Sequence, residues 1–260
     1  MIAATTIANW QLLSFIALIL LSSFASWKLA LGLGKDLWWG ACRTYTQLML
    51  MGFVLTYVFK TSHPLITLGL FTWMIFWASR IISGRIKHKP FPLQLPIFTT
   101  MAITYISITA ITVGGFLQND PWYNPVVFIT IGGMVIGNSM NAVAISLERL
   151  FSDLREKRFE VEQRLLFGAD FKQASAPLLR DAIRAGMIPS INSLMGVGLV
   201  FIPGMMTGQI LGGEDPVNAA RYQILIMLLV SASTAIGCSA ITLYMLKKCF
   251  NKDQQIKPEV

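Results

Sequence analysis

Seven apolar stretches dominate the chain and limit the folds that it can adopt. Each is long enough, or nearly long enough, to cross a bilayer as a helix, which takes about 20 residues. The stretches are 8–27, 37–59, 64–79, 95–116, 125–147, 186–211 and 222–246. Only 13% of the 260 residues are charged, whereas a soluble domain carries about 25%. We therefore predict an all-α integral membrane protein, a single domain over 1–260 with about seven transmembrane helices, and exclude an ordinary cytosolic enzyme.

The placement of the basic residues predicts how the chain is oriented in the membrane. Of the 21 lysines and arginines, 18 lie in the four segments 28–36, 80–94, 148–185 and 247–260. With seven spans, all four segments fall on one side, which the positive-inside rule assigns to the cytoplasm. The N-terminus is then outside and the C-terminus in the cytoplasm. If 64–79 did not span, the count would be six and this alternation would be lost. Because membrane orientation accounts for the net charge of +8, we predict no nucleic-acid partner.

The polar segment 148–185 is predicted to form cytoplasmic helices between spans five and six. Its first helix extends span five and is defined by apolar residues at helical spacing: Leu147, Leu150, Leu154, Val161 and Leu165. Gly168 is predicted to end this helix. Asp170 and Gln173 form a capping-box pair, which predicts a second helix from there to about Ala185. Two helices held near the membrane suit the docking of a partner protein, and a solvated hairpin without a partner is the alternative.

The sequence lacks the motifs of an enzyme or of a self-powered pump. Gly34-Lys35 is the nearest approach to a nucleotide-binding loop, but Asp36 replaces the required Ser or Thr. There is no HExxH, GxSxG or paired Cys/His cluster. The interiors of the predicted spans contain no Asp, Glu or Lys, so a carboxylate proton relay is not predicted. We predict that the chain is not an enzyme, binds no cofactor itself and takes the energy for any uphill transport from another chain.

Spans five and six carry polar or kinked features that could line a transport path. Asparagines in lipid are costly unless they are paired or wet, and prolines free backbone carbonyls. The predicted path residues are Met134, Asn138, Asn141, Asn192, Pro203, Met205 and Met206; no metal ligand is assigned. Gly133 and Gly137 form a GxxxG pair, and 204–212 contains two more, which predict close helix approach. Helix packing is the alternative interpretation of these polar and small residues.

Several long sequence blocks resemble one family of permeases. The blocks are Ile136-Gly-Asn-Ser-Met-Asn-Ala-Val, Leu165-Leu-Phe-Gly-Ala-Asp-Phe-Lys-Gln-Ala-Ser-Ala, Leu179-Arg-Asp-Ala-Ile-Arg-Ala, Gly198-Leu-Val-Phe-Ile-Pro-Gly-Met-Met-Thr-Gly-Gln-Ile and Asp215-Pro-Val-Asn-Ala. They are similar to the FetB/YbbM-type permeases, which include bacterial iron exporter subunits and plant aluminium-sensitivity permeases. The resemblance covers essentially the whole chain in span order and is strongest over 132–225.

The resemblance implies a permease subunit of an ABC transporter in the bacterial inner membrane, exporting iron or a related metal ion. Two copies would pair with two copies of a cytoplasmic ATPase, which would hold the ATP-Mg. The residues implied in coupling to that ATPase are Glu162, Gly168, Asp170, Phe171, Arg180 and Asp181. The family commonly has Thr-Pro where this chain has Asp170-Phe171. Aspartate preserves the helix cap, and Phe171 is predicted to offer an apolar side chain to the ATPase.

Three other interpretations fit parts of the sequence. A permease for an organic solute, such as a nucleotide sugar, fits because hard cations prefer carboxylate oxygens and the spans provide none. A seven-span receptor or retinal-type sensor fits the span count, but the last span lacks a lysine for a Schiff base. A membrane anchor is disfavoured by the polar and kinked spans five and six.

Overall fold

The structure is a computed structural model that describes residues 16–118, 120–251 and 253–258. Its helices are α1 (Ile16–Lys28), α2 (Gly34–Thr61), α3 (Pro64–Arg85), α4 (Gln94–Ala110), α5 (Pro125–Glu156), α6 (Arg158–Leu166), α7 (Phe171–Gly196), α8 (Gly204–Leu211) and α9 (Pro216–Cys249). A π-helical segment, Ile111–Phe116, continues α4. The prediction of an all-α fold is confirmed for these residues.

Among the described residues, four helices are long and apolar enough to cross a membrane: α3, α4 with its π-helical continuation, α5 and α9. Helix α3 has 22 residues and extends beyond the predicted stretch 64–79, which makes it a full-length candidate span. Helix α2 has 28 residues but is less apolar, because charged side chains such as Arg43 interrupt it. Residues 8–15 of the first predicted span lie outside the described residues. The count of seven spans stays a prediction.

The predicted sixth span, 186–211, is divided in two. Helix α7 ends at Gly196 and α8 begins at Gly204. Between them Gly198 has a φ of +80°, a left-handed conformation that glycine adopts without steric cost. Pro203 also disfavours helical geometry in the residue before it. The predicted span, expected to be kinked, is interrupted between 197 and 203, because the two helix-breaking features lie close together.

The segment between spans five and six also differs from its predicted boundaries. Helix α5 ends at Glu156 and a separate helix, α6, follows from Arg158, so the predicted extension of span five is broken at Lys157. The capping box is confirmed: the Gln173 backbone N–H donates to Asp170 Oδ1 at 2.6 Å, and the Asp170 N–H donates to Gln173 Oε1 at 3.3 Å. The helix that it starts continues past the predicted end at Ala185. Helix α7 therefore joins the connecting segment to the predicted sixth span without a break.

The described residues form two compact units, and the single predicted domain stays a prediction. The smaller unit contains α1 and α2, which pack against each other. In the turn between these helices, the Leu33 backbone N–H donates to the hydroxyl of Ser26 at 3.0 Å. Ser26 is the only described residue of α1 that is buried. This hydrogen bond satisfies the hydroxyl of Ser26, which would be costly to bury unpaired.

The larger unit is built around α5, which packs against α3, α7 and α9. Its core consists of large side chains that are almost completely buried, among them Phe71, Ile75, Met101, Tyr105, Phe128, Val135, Leu147, Ile241 and Met245. Helices α5 and α9 are also joined by buried hydroxyl pairs, Ser139 with Thr234 at 3.2 Å and Ser146 with Thr242 at 3.0 Å. Paired hydroxyls are how polar side chains are accommodated between membrane helices.

Three long helices begin in the same way, with a proline directly after a polar N-cap residue. The caps are His63, Asn124 and Asp215. Each side chain accepts a hydrogen bond from the backbone N–H two residues later, at 3.3, 3.1 and 3.0 Å respectively. Proline suits the first helical position because its missing N–H would have no partner there. These starts are therefore set by local sequence.

Candidate functional site

The turn between α6 and α7, residues 167–170, and the last residue of α6 each expose one large apolar side chain. Leu166, the last residue of α6, is 87% exposed and Phe167 is 90% exposed. Gly168 follows with a φ of +91°, which reverses the chain direction at little cost. Fully exposed neighbouring apolar side chains are typical of a surface that another molecule covers. The sequence signal was present, since Leu-Phe-Gly stands inside an otherwise polar segment.

Phe171 is not part of that exposed surface. Its ring packs against the ring of Phe250, with centroids 5.4 Å apart. Its backbone N–H donates to Gln254 Oε1 at 3.1 Å. The C-terminal tail, described as residues 250–251 and 253–258, thus holds the start of α7. This contact between residues far apart in sequence leaves Phe171 half-buried, and its role toward a partner stays a prediction.

A groove of about 830 Å³ lies between the turn and the tail. Three of the other predicted coupling residues line it, and the remaining two lie farther along α7. Glu162, Gly168 and Asp170 line the groove. Glu162 is paired with Arg158, with a distance of 2.8 Å between Oε1 and the guanidinium Nε. Arg180 and Asp181 are exposed on α7. The structure therefore brings three of the six residues together at one groove.

The predicted path residues do not form one cavity within the described chain. Asn138 and Asn141 are exposed on α5, and Asn192 is exposed on α7. The Asn138 amide donates to the Met134 carbonyl at 2.9 Å. Asn141 Oδ1 accepts from Arg85 at 3.2 Å. These bonds satisfy part of the polarity that suggested a path, and sequence spacing did not indicate the partner from α3.

Three more predicted path residues lie at the break between α7 and α8, where Pro203, Met205 and Met206 are half-buried. Pro203 and Met206 line a cavity of about 490 Å³ bounded by the end of α7, the break, α8 and α9. The remaining lining residues are apolar or glycine, except Gln223 on α9. The sequence analysis did not select Gln223, because a single glutamine near the start of a span has no distinguishing spacing.

Metal-ligand clusters were also sought in the described part of the chain. Within it, no three His, Cys, Asp or Glu side chains lie close enough together to hold a metal ion. The three cysteines Cys42, Cys238 and Cys249 are free thiols. The only side chains among the predicted path residues that could contribute a metal ligand are those of Asn and Met.

Comparison with known proteins identifies relatives along almost the whole chain. A membrane protein from Synechocystis, slr1647, is 37% identical over 230 residues, which are 87% of each chain. The probable iron export permease FetB of Escherichia coli is 32% identical over 255 residues, 96% of this chain and 95% of its own. The Arabidopsis thaliana protein ALUMINUM SENSITIVE 3 is 26% identical over 245 residues, 94% of this chain and 88% of its own. No solved structure matches the chain.

The resemblance seen in the sequence blocks is thus confirmed over nearly the whole chain. The uncharacterised protein family UPF0014 matches residues 9–250. This range includes all described helices and both the α6–α7 turn and the cavity next to α9. The chain therefore belongs to the UPF0014 family of membrane proteins.

Proposed function

We propose that this chain is the membrane-spanning permease subunit of an ATP-driven exporter of iron or a related metal ion. The observation that carries the proposal is the similarity along nearly the whole length to the Escherichia coli protein named a probable iron export permease. The absence of a nucleotide-binding loop from the sequence supports a separate ATPase as the source of energy. In this proposal two copies of the chain pair in the bacterial inner membrane, each bound to one ATPase subunit.

The α6–α7 turn is the proposed docking point for the ATPase. Leu166 and Phe167 are the most exposed apolar side chains of this segment, and burying a phenylalanine contributes about 1.5–3 kcal/mol. The turn lies in the segment that the basic residues predict to be cytoplasmic. An ATPase is a soluble partner that could reach it there. In this proposal Phe167 presents its ring to the ATPase beside the predicted coupling residue Phe171.

Helix α7 provides a direct mechanical link from this turn to the break at 197–203. It is one continuous helix of 26 residues, about 39 Å long at the usual rise per residue. A displacement of the turn on ATP binding would move the far end of a rigid helix. In the proposal this motion alternates access to the path residues on α5, α7 and α8.

Export of an organic solute is the second candidate. It is favoured by the lack of a three-residue metal cluster in the described chain, since hard cations prefer several oxygen ligands that include carboxylates. The experiment below separates the two candidates by the solute that stimulates hydrolysis.

The test is ATP hydrolysis by the complex captured from cells on the tagged chain and placed in nanodiscs, with and without ferrous iron. Iron is expected to stimulate hydrolysis. About tenfold less ATPase should co-purify with the tagged Phe167→Ser variant, because its complex with the ATPase lacks one buried phenylalanine side chain. Phe159→Ser is the matched control, since Phe159 is 71% exposed but lies on α6, before the turn.

The possible results distinguish the parts of the proposal. Equal ATPase recovery with Phe167→Ser and with the unchanged chain would contradict docking at the turn. A complex whose ATP hydrolysis is not stimulated by iron would support the permease role and favour an organic solute as the substrate. If the tagged chain captures no ATPase, the proposed function is wrong.

A further inference from the structure

The cavity lies beside the first turns of α9, one of the candidate membrane spans. Helix α7 crosses α5 and α9 at Gly186, where an added Cβ would lie 2.5 Å from the Ala142 carbonyl oxygen and 3.2 Å from Cys238 Sγ. Both α5 and α9 are candidate membrane spans. From Gly186 to the end of α7 at Gly196 the helix rises about 15 Å, about half of a hydrocarbon core of roughly 30 Å. The cavity begins at that end.

One buried polar group in the cavity has no partner among the described residues. Gln223 is only 6% exposed, and its side-chain Oε1 accepts no hydrogen bond from that part of the chain. An unpaired buried amide oxygen is costly. Among the described residues that line the cavity, Gln223 is the only one with a polar side chain. A molecule that supplies a hydrogen-bond donor in this cavity would remove the cost.

We propose that this cavity is a binding site for an uncharged amphiphile of the membrane, a long-chain lipid whose hydroxyl group pairs with the amide of Gln223. The volume of about 490 Å³ lies within the range of small-molecule sites. The apolar lining, which includes Ile202, Met206 and Met227, suits a hydrocarbon chain. A hydroxyl can donate to the unpaired Oε1 of Gln223, which the oxygen of an ether cannot do. No lining residue is charged, which disfavours a metal ion or a charged headgroup.

The site is independent of the proposed export function. It requires only that the chain is a membrane protein, which its family membership shows. A failure to find the lipid would therefore leave the export proposal unchanged. Equally, a chain that captures no ATPase would still be expected to bind the amphiphile.

The test is photolabelling of the full chain in phosphatidylcholine nanodiscs, because phosphatidylcholine carries no hydrogen-bond donor. The probes are hexadecanol with a diazirine in the middle of its chain and the methyl ether of the same molecule. Labelled peptides are expected to contain residues 194–206 or 220–228, with unlabelled hexadecanol competing. Gln223→Leu should weaken labelling by the alcohol about 3- to 10-fold, the usual effect of one hydrogen bond, and leave labelling by the ether unchanged.

Two further variants complete the experiment. Gln209→Leu is the matched control, since Gln209 Oε1 is also buried and unpaired in the described chain but does not line the cavity; its labelling should equal that of the unchanged chain. Ala220→Leu should fill the cavity and abolish labelling by both probes. Gln223→Leu should fold normally, because it removes an unsatisfied buried group.

Three results would overturn the proposal. One is equal labelling by alcohol and ether that Gln223→Leu does not change, which would indicate ordinary lipid contact. Another is undiminished labelling of the same peptides in Ala220→Leu. The third is no labelling of these peptides in the unchanged chain, as expected if a second copy of the chain fills the cavity.

Discussion

Individual glycines determine where the helices of the larger unit approach one another. A Cβ at Gly132 would collide with the ring of Phe71, and one at Gly237 would collide with Tyr105. Among the GxxxG glycines selected from the sequence, a Cβ at Gly133 would lie 3.2 Å from Met74 Cε, whereas one at Gly137, Gly204 or Gly208 would meet no atom of the structure within 4 Å. Within the described chain, GxxxG spacing thus marks a close approach at Gly133 but not at the other three of these glycines. The surface that a helix turns toward its neighbours decides which glycine is required.

Gly186 provides the clearest residue-scale prediction. Gly186→Ala places a methyl group 2.5 Å from the Ala142 carbonyl oxygen, a backbone atom that cannot rotate away. We expect the free energy of unfolding to fall by about 1–3 kcal/mol, the usual cost of overpacking. It can be measured by denaturant titration in detergent micelles.

The matched control for Gly186 is Gly208→Ala on α8. The added methyl group meets nothing within 4 Å there, and alanine is the better helix former. Its stability should be unchanged or slightly higher. Equal destabilisation by both substitutions would show that α7 does not pack closely on α5 at Gly186.

At the scale of elements, α7 combines properties that the sequence placed in separate segments. It begins at the capping box of Asp170 and Gln173, and it continues through Pro177 and Pro189 to Gly196. Neither proline ends the helix. Packing against α5 and α9 can offset the hydrogen bonds that prolines remove. Local signals thus predicted the start of α7 correctly and its end incorrectly.

The cap leads to an element-scale prediction. Asp170→Ala removes the acceptor for the Gln173 N–H, so the chain should lose about 1 kcal/mol of stability. Amide hydrogen exchange over the first turn of α7 should become faster in the same variant. The measurements are denaturant titration and exchange mass spectrometry.

Asp170→Asn is the control for the cap, because asparagine caps helices as well as aspartate does. Stability and exchange should stay near those of the unchanged chain. A loss as large as that of Asp170→Ala would assign the effect to the negative charge rather than to the hydrogen bond.

At the scale of the whole molecule, the charge distribution predicts which loops face the cytoplasm. We expect Asp120→Cys and Glu214→Cys to react with a membrane-impermeant maleimide added outside intact cells, and Lys89→Cys and Gln163→Cys to react only after the cells are opened. Native thiols are first replaced, since Cys42 is exposed. All four positions are exposed in the structure, so differences in labelling should report the side of the membrane and not burial in the protein.

Labelling of Gln163→Cys from outside would place the α6–α7 turn on the wrong side for an ATPase. That result would contradict both the orientation and the proposed docking. If none of the four cysteines is labelled in intact cells but all four are labelled in opened cells, the seven-span arrangement is contradicted. The cytoplasmic position of the α6–α7 turn is not.

The sequence by itself determined the helical, membrane-embedded character of the chain, its family and the cap at Asp170. These follow from composition, long sequence blocks and spacings of a few residues, all of which are local. Only the tertiary structure decided that Phe171 packs against Phe250, that Asn141 pairs with Arg85 and that Gln223 lines an apolar cavity. Each of these depends on contact between residues far apart along the chain. Helical periodicity shows which residues share a face, but packing alone determines what that face meets.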